Sequence, residues 1–161
     1  MNNERIKKDR INLTSNPNRG FTTIENYVIK IPYMSPACRS LLYCFYMYQN
    51  CSDIFISYST IMKYTGITSK SSISKWLKFM QWIGFLKVEK RIDSKNVKYN
   101  SYSLNHYRIK DISDFINEVE IDFRSIESYW NKIGKDNKKM DEFIEDKQSF
   151  TNALKEIMCR S

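Results

Sequence analysis

The fold is decided by residues 57–104, which read SYSTIMKYTGITSKSSISKWLKFMQWIGFLKVEKRIDSKNVKYNSYSL. Two apolar patterns with helical spacing come first, and they end at Gly66 and Gly84. After Gly84 the apolar residues alternate with polar ones, which is typical of a strand buried on one side. This stretch therefore predicts two helices followed by a pair of strands.

The two helices are also marked by N-cap residues. Ser57 precedes a short helix over 58–65, and Thr68 and Ser69 precede a longer helix over 70–83. A glycine directly after each helix is favoured because it adopts the left-handed backbone that ends a helix. The inward-facing residues that the spacing predicts are Ile61, Met62, Ile73, Leu77 and Met80.

A β-hairpin is predicted after the second helix. Its strands run over 85–89 and 98–104, and residues 91–97 between them form a polar, basic loop. A turn is favoured in this loop by the residues Asp93, Ser94, Lys95 and Asn96.

The chain before residue 57 is predicted to contain four segments. Residues 1–20 are polar and basic and form a flexible arm, which either touches nucleic acid or has no specific role. An extended segment over 21–34 precedes Ser35, the N-cap of a helix over 37–50 that is apolar nearly all round. Residues 54–56 form a short strand.

This order of elements resembles a winged helix-turn-helix domain, with the match covering about residues 21–108 and the domain assigned to 21–110. The residues that carry the resemblance are Ser57, Ile61, Met62, Gly66, Ile73, Leu77, Met80, Gly84, Phe85 and Leu86, and in the wing Lys90, Arg91, Lys95, Asn96, Val97 and Lys98. More narrowly, the layout resembles the N-terminal domains of plasmid and phage replication initiators and of DnaD-type replisome organisers. In these families an aromatic-containing segment precedes the first helix, as residues 21–32 do here. The expected fold class is mainly α with a small β-hairpin, an α+β fold, followed by C-terminal helices.

The positive charge is concentrated in the first two thirds of the chain. The whole chain has a formal net charge of +8, but residues 1–110 carry 18 Lys and Arg against six Asp and Glu. Residues 111–161 carry eight basic and twelve acidic residues. A basic domain beside an acidic tail favours a polyanion as the partner of the basic part.

The third helix and the hairpin contain the candidate DNA contacts. Small hydroxyl side chains allow close approach to base edges, and lysines reach phosphates or guanine acceptors. The base-proximal candidates are Lys70, Ser71, Ser72, Ser74 and Lys75, with Lys78 on the DNA backbone. The wing candidates are Lys90, Arg91, Lys95, Asn96 and Lys98, with Arg91 suited to a minor groove. Further backbone candidates are Ser57, Tyr58 and Ser59, although Tyr58 suits the core equally well.

Three aromatic residues of the third helix, Trp76, Phe79 and Trp82, lie beside its inward stripe. They either stack on single-stranded bases or bury against the N-terminal segment or the tail, and we favour burial. The tail, residues 111–161, shows helical spacing, with a last helix predicted over 140–158. About fifty residues bury little surface alone, so the tail either packs on its own chain or forms a homodimer.

Several classes of function are disfavoured by the sequence. No hydrophobic run approaches the roughly 18 residues of a membrane span, and the N-terminus does not resemble a signal peptide. The four cysteines form no C-x-x-C pair, His106 is the single histidine, and no nucleophile or phosphate-binding motif is present. We therefore expect no catalytic residue, metal or cofactor, and a cytoplasmic, bacterial protein associated with the nucleoid or a plasmid.

The sequence as a whole predicts specific binding of double-stranded DNA by a protein of a plasmid or phage, in replication initiation or its control. A transcriptional regulator or a transfer-origin accessory factor shares these features. A second alternative is a winged-helix protein-interaction module that does not bind DNA. Replication or transfer proteins are further expected partners.

Overall fold

The computed structural model describes residues 22–51 and 53–160. The described residues form eight helices and a two-stranded sheet, so the expected mainly helical α+β class is confirmed. The helices before the sheet are α1 (Asn26–Ile29), α2 (Pro36–Tyr46), α3 (Tyr58–Thr65) and α4 (Lys70–Ile83). The strands are β1 (Leu86–Ile92) and β2 (Lys98–Leu104), and the later helices are α5 (His106–Val119), α6 (Phe123–Ile133), α7 (Asn137–Glu145) and α8 (Ser149–Arg160). The predicted arm over 1–20 lies outside the described residues.

Helices α3 and α4 begin and end where the sequence predicts. The Ser57 and Ser69 hydroxyls accept hydrogen bonds from the N–H groups of Thr60 and Ser72. Gly66 and Gly84 follow the two helices with φ angles of 74° and 89°. Of the predicted inward residues, Ile61, Ile73, Leu77 and Met80 are buried and Met62 is partly buried.

The hairpin is longer than predicted. Its strands are antiparallel, with Leu86 opposite Leu104 and Ile92 opposite Lys98. Arg91 therefore lies in a strand rather than in the loop, and the loop is reduced to residues 93–97. Pairing continues to Ile92 because Asp93 closes the turn: its Oδ1 accepts hydrogen bonds from the N–H groups of residues 95 and 97.

The short strand predicted over 54–56 is reduced to one residue. Ile54 forms an antiparallel bridge with Tyr102 of β2, with N–H···O distances of 2.8 and 2.9 Å in the two directions. Phe55 and Ile56 make no ladder hydrogen bonds in the described chain, because the backbone turns at Ser57 into α3.

Two predictions about the outer helices are wrong. The segment 21–34, predicted as extended, contains α1, because Val28 and Ile31 are buried and the bonds from Val28 and Ile29 N–H to the Glu25 carbonyl favour a helical turn. The last helix, predicted as continuous over 140–158, is divided into α7 and α8. Asp146 ends α7 in an extended conformation, and its carboxylate accepts the N–H of Gln148 instead.

Helix α4 lies at the centre of the core, with the tail on one side of it. Trp82 stacks on Trp130 of α6 with 5.1 Å between ring centroids and meets Phe150 of α8 edge-on at the same distance. Its indole N–H donates to the Ser149 hydroxyl at 2.9 Å. Phe79 is fully buried and lies 5.8 Å from Phe123. The favoured burial of these two aromatics against the tail is confirmed, while Trp76 is half-buried.

Among the described helices, none combines the length and apolar character that crossing a membrane requires.

Candidate nucleic-acid interface

The first turn of α4 presents polar side chains to solvent. Lys70 and Ser71 are exposed, and Ser72 is half-buried. The Ser71 hydroxyl lies 2.7 Å from the hydroxyl of the N-cap residue, Ser69. The described part of the chain offers Lys70 no carboxylate partner within ion-pair distance. This end of α4 therefore combines a free positive charge with the positive end of the helix dipole.

The middle of α4 lines a groove of about 380 Å³. Ser74, Lys78 and Gln81 lie along one wall, at helical spacings of four and three residues. Lys90 and Asn100 of the hairpin also line it. The groove also contains residues of α7, namely Asp141, Ile144 and Glu145.

Lys75 and Lys78 both contact other side chains of the protein. The Lys75 Nζ lies 5.2 Å from the centre of the Trp76 ring, and the Lys75 carbonyl accepts the indole N–H of Trp130 at 3.2 Å. The Lys78 Nζ pairs with the Asp141 Oδ1 of α7 at 2.9 Å, and 22% of the Lys78 side chain is exposed. Of the sequence-predicted lysines of α4, Lys70 is therefore the most accessible.

The loop of the hairpin is organised by hydrogen bonds to Asp93. The Asp93 carboxylate accepts two main-chain N–H groups at 2.8 and 2.9 Å, and Asn96 adopts a left-handed φ of 60°. Lys95 and Lys98 are exposed, as is Lys90 of β1, and within residues 22–51 and 53–160 none of these three forms an ion pair. The hairpin thus presents three ammonium groups, that of Lys95 in the loop and those of Lys90 and Lys98 in the strands.

Arg91, the candidate for a minor groove, is held by two carboxylates. Its Nη2 lies 3.0 Å from the Asp53 Oδ1 and 3.3 Å from the Glu89 Oε2. Lys87 forms a further ion pair with Glu89 at 2.8 Å. This contact lowers the pKa of Glu89, and Arg91 lowers it by a smaller amount. The charge of Arg91 is therefore largely balanced locally, unlike the charges of Lys95 and Lys98.

The start of α3 carries the remaining backbone candidates. Ser57 and Ser59 are exposed, and their hydroxyls lie 2.9 Å apart. Tyr58 is partly buried against the core, and it also lines the groove along α4. Both interpretations of Tyr58 that the sequence left open are thus compatible with its position.

The described cysteines and the histidine are not part of a metal-binding cluster. No group of three or more His, Cys, Asp and Glu side chains in the described chain is arranged to hold a metal ion. Burial raises the pKa of Cys44 to about 11, which keeps this thiol protonated at neutral pH. His106 packs edge-on against Tyr46, with 5.5 Å between ring centroids.

Sequence reasoning did not identify several residues near these candidates, among them Gln81 and Asn100 in the groove along α4 and Phe55 and Tyr99 in a neighbouring cleft. Gln81 follows Ser74 and Lys78 at helical spacing, so the periodicity of α4 contained the signal that could have identified it. Phe55 and Tyr99 became candidates only through their tertiary contact, since they are 44 positions apart in the chain.

Comparisons of the chain with models of known families, with curated proteins and with solved structures find no match.

Proposed function

We propose that this protein binds double-stranded DNA in a sequence-specific manner, with residues 21–110 acting as a winged helix-turn-helix domain. The observation that carries this proposal is the groove in which Ser74 and Lys78 of α4 lie beside Lys90 of the hairpin. A helix next to a basic hairpin suits the major groove, which is about 12 Å wide, together with the adjacent phosphates. The bridge between Ile54 and Tyr102 adds support, because it places the segment before α3 against the second hairpin strand.

In this proposal α4 is the recognition helix and the hairpin is the wing. The exposed first turn of α4, with Lys70 and Ser71, enters the major groove first, where its N–H groups and positive dipole end favour phosphate. Lys95 and Lys98 of the wing contact the sugar-phosphate backbone. The biological role that we propose is replication initiation or its control on a plasmid or phage.

The test is selection of bound duplexes from a random pool, followed by titration of the selected duplex across a salt series. If six to eight phosphates are neutralised, the logarithm of the affinity falls with the logarithm of the salt concentration with a slope of roughly −5 to −7. Enrichment of one sequence with such a slope supports the proposal. Binding that is undetectable, or that selects no sequence, overturns it.

The same DNA-binding mode would serve a transcriptional regulator or a transfer-origin accessory factor. The position of the selected site separates these roles, because a promoter, a replication origin and a transfer origin lie next to different genes.

A protein-interaction module without DNA binding is the second candidate, and the position of α7 favours it. Asp141 and Glu145 line the groove beside Lys78, so acidic groups already occupy part of the proposed DNA surface. This candidate predicts that Lys70→Ala and Lys95→Ala leave the behaviour towards DNA unchanged. Point variants are preferable to deletion of residues 111–161, because the deletion would expose Phe79 and Trp82.

A further inference from the structure

A second cleft, of about 580 Å³, opens between the N-terminus of α3 and β2. The residues that line it include Phe55, Tyr58, Asp93, Tyr99, Asn100 and Tyr102. Three of them, Tyr58, Asn100 and Tyr102, also line the groove along α4, so the two surfaces adjoin.

Aromatic rings form one wall of this cleft. Phe55 is 56% exposed, although it is a large apolar side chain. It meets Tyr99 edge-on, with 5.3 Å between ring centroids and 71° between ring planes. This contact covers one part of the Phe55 ring and leaves much of the ring accessible to a planar partner. A base stacks on such a ring irrespective of its identity, because every base has a π-face.

The edge of β2 supplies polar groups next to these rings. The main-chain N–H and C=O of Tyr102 both bond to Ile54. Main-chain groups of alternate residues in a strand point to the same edge, so those of Asn100 also point towards this side. Among the described residues no strand pairs with β2 there, since the chain turns into α3 at Ser57. The cleft therefore offers a donor and an acceptor beside an aromatic ring.

Asp93 adds a further acceptor. Its Oδ1 is occupied by the two N–H groups of the turn, while its second carboxylate oxygen, which accepts no hydrogen bond from the described residues, is available to a ring N–H or an exocyclic amino group of a base. The nearby hairpin carries Lys90, Lys95 and Lys98, which are exposed and form no ion pair within the described ranges. These ammonium groups suit the phosphates on either side of a base.

A peptide strand fits this edge less well than a base does. The stretch of β2 beyond the bridge, from Lys98 to Ser101, is four residues long, which is shorter than the usual strand of about five to six residues. The positive charge around it also favours a phosphodiester chain over a peptide.

We propose that this cleft binds an unpaired base of single-stranded DNA, with stacking on Phe55 and hydrogen bonding to Asn100. This inference extends the proposed duplex-binding function. It rests on that function, because the function is the reason for choosing DNA as the ligand. Together the two surfaces would engage duplex DNA along α4 and a locally opened strand beside β2 and the hairpin turn.

The experiment compares the binding of a labelled single-stranded dT oligonucleotide of roughly ten nucleotides with the binding of the selected duplex, by fluorescence anisotropy. The variants are Phe55→Ala, Phe55→Trp and, as a matched control, Tyr107→Ala. Tyr107 is also an exposed aromatic residue, 86% accessible, but it lies outside the cleft on α5. Circular dichroism checks that each variant remains folded.

We expect Phe55→Ala to weaken single-strand binding by roughly 5- to 150-fold, the effect of losing one stacked base, and to leave duplex binding within about twofold. Phe55→Trp retains the stacking and therefore the affinity, and Tyr107→Ala changes nothing. Equal effects of Phe55→Ala and Tyr107→Ala on the single strand, or no single-strand binding by the wild-type protein, overturn the inference.

The failure of this inference is distinguishable from that of the proposed function. If the wild-type protein binds the duplex but not the single strand, the cleft proposal fails and the winged-helix proposal stands. If the protein binds the single strand through Phe55 but does not bind the duplex, the winged-helix proposal fails and the cleft proposal stands. A photocrosslink from 5-iodouracil in the oligonucleotide is expected at Phe55 or Tyr99, and a crosslink confined to other elements also overturns the inference.

Discussion

The Nζ of Lys78 lies 2.9 Å from the Oδ1 of Asp141, and this ion pair joins the proposed recognition helix α4 to the tail helix α7. The two side chains are 22% and 59% exposed, so solvent screens the pair and it contributes little to stability. In the proposed DNA-binding mode its effect on function is larger, because the Asp141 carboxylate then competes with a DNA phosphate for Lys78. Helix α7 packs on the core through the buried Met140 and the partly buried Phe143 and Ile144.

Asp141→Asn is therefore expected to strengthen duplex binding. It removes the carboxylate from Lys78 and frees that ammonium group for a phosphate, which steepens the logarithmic salt dependence by about 0.9. The matched control is Glu142→Gln, which changes the net charge equally and lies on the same helix without a described ion pair to α4. Anisotropy titrations at several salt concentrations measure both variants. An equal gain in the two variants would show that general charge, and not release of Lys78, is responsible.

Neutralising the exposed lysines is expected to weaken duplex binding at all sequences. Lys70→Ala and Lys95→Ala each remove one phosphate contact in the proposed mode, so each reduces the magnitude of the salt slope by about 0.9. The turn should survive Lys95→Ala because Asp93 accepts the main-chain N–H of residue 95, which the variant keeps. Lys155→Ala on α8 is the control, since Lys155 is an exposed lysine outside this surface. Slopes that do not differ from those of the control would exclude α4 and the hairpin as the DNA-binding surface.

The sequence was sufficient for the order and the limits of α3 and α4, because caps and periodicity are local signals. Ser57, Ser69, Gly66 and Gly84 act within one helical turn of their own positions. The sequence contains no comparable local signal for where the tail packs. The contacts that place it are distant in the chain, and the hydrogen bond from Trp82 to Ser149 joins residues 67 positions apart.

The candidate site was predictable to a smaller extent, for the same physical reason. Residue type marked the lysines of α4 and the hairpin as candidate DNA contacts, but it did not show which of them are neutralised by the fold. Asp53 pairs with Arg91 from 38 positions away, and Asp141 reaches Lys78 from the tail. Charge patterning thus identifies a basic surface, and tertiary contacts decide which charges remain available on it.

The packing of the tail on α4 is expected to be essential for stability. Trp82→Ala removes a buried ring that contacts Trp130 and Phe150 and leaves Ser149 without its indole donor. The expected loss in the free energy of unfolding is about 3–5 kcal/mol. Trp76→Ala, at a half-buried position of the same helix, is expected to cost less. Urea unfolding followed by circular dichroism measures both, and a similar small loss in the two variants would contradict a shared core of α4 and the tail.

The buried carboxylate of Glu127 makes stability depend on pH. Glu127 is 5% exposed, and its Oε1 accepts the main-chain N–H of Ser35 at 2.8 Å, just before α2. Burial raises the pKa of Glu127, an effect that the Ser35 bond and Arg39 partly oppose. Because the pKa in the folded state is raised, the favourable contribution of the protonated form is complete below the ordinary glutamate pKa. This contribution to stability is lost as the pH rises through the pKa of Glu127 in the folded state.

Glu127→Gln keeps an acceptor for the Ser35 N–H and carries no charge, so it should stabilise the protein relative to wild type at pH 7. This advantage should shrink as the pH falls towards the ordinary glutamate range, where wild-type Glu127 becomes protonated. Urea unfolding of both proteins between about pH 4 and pH 8 measures the difference. Glu118→Gln, at an exposed position of α5, is the control and should show no such trend. A difference between Glu127→Gln and wild type that does not vary with pH would show that Glu127 has the same pKa in the folded and unfolded chain.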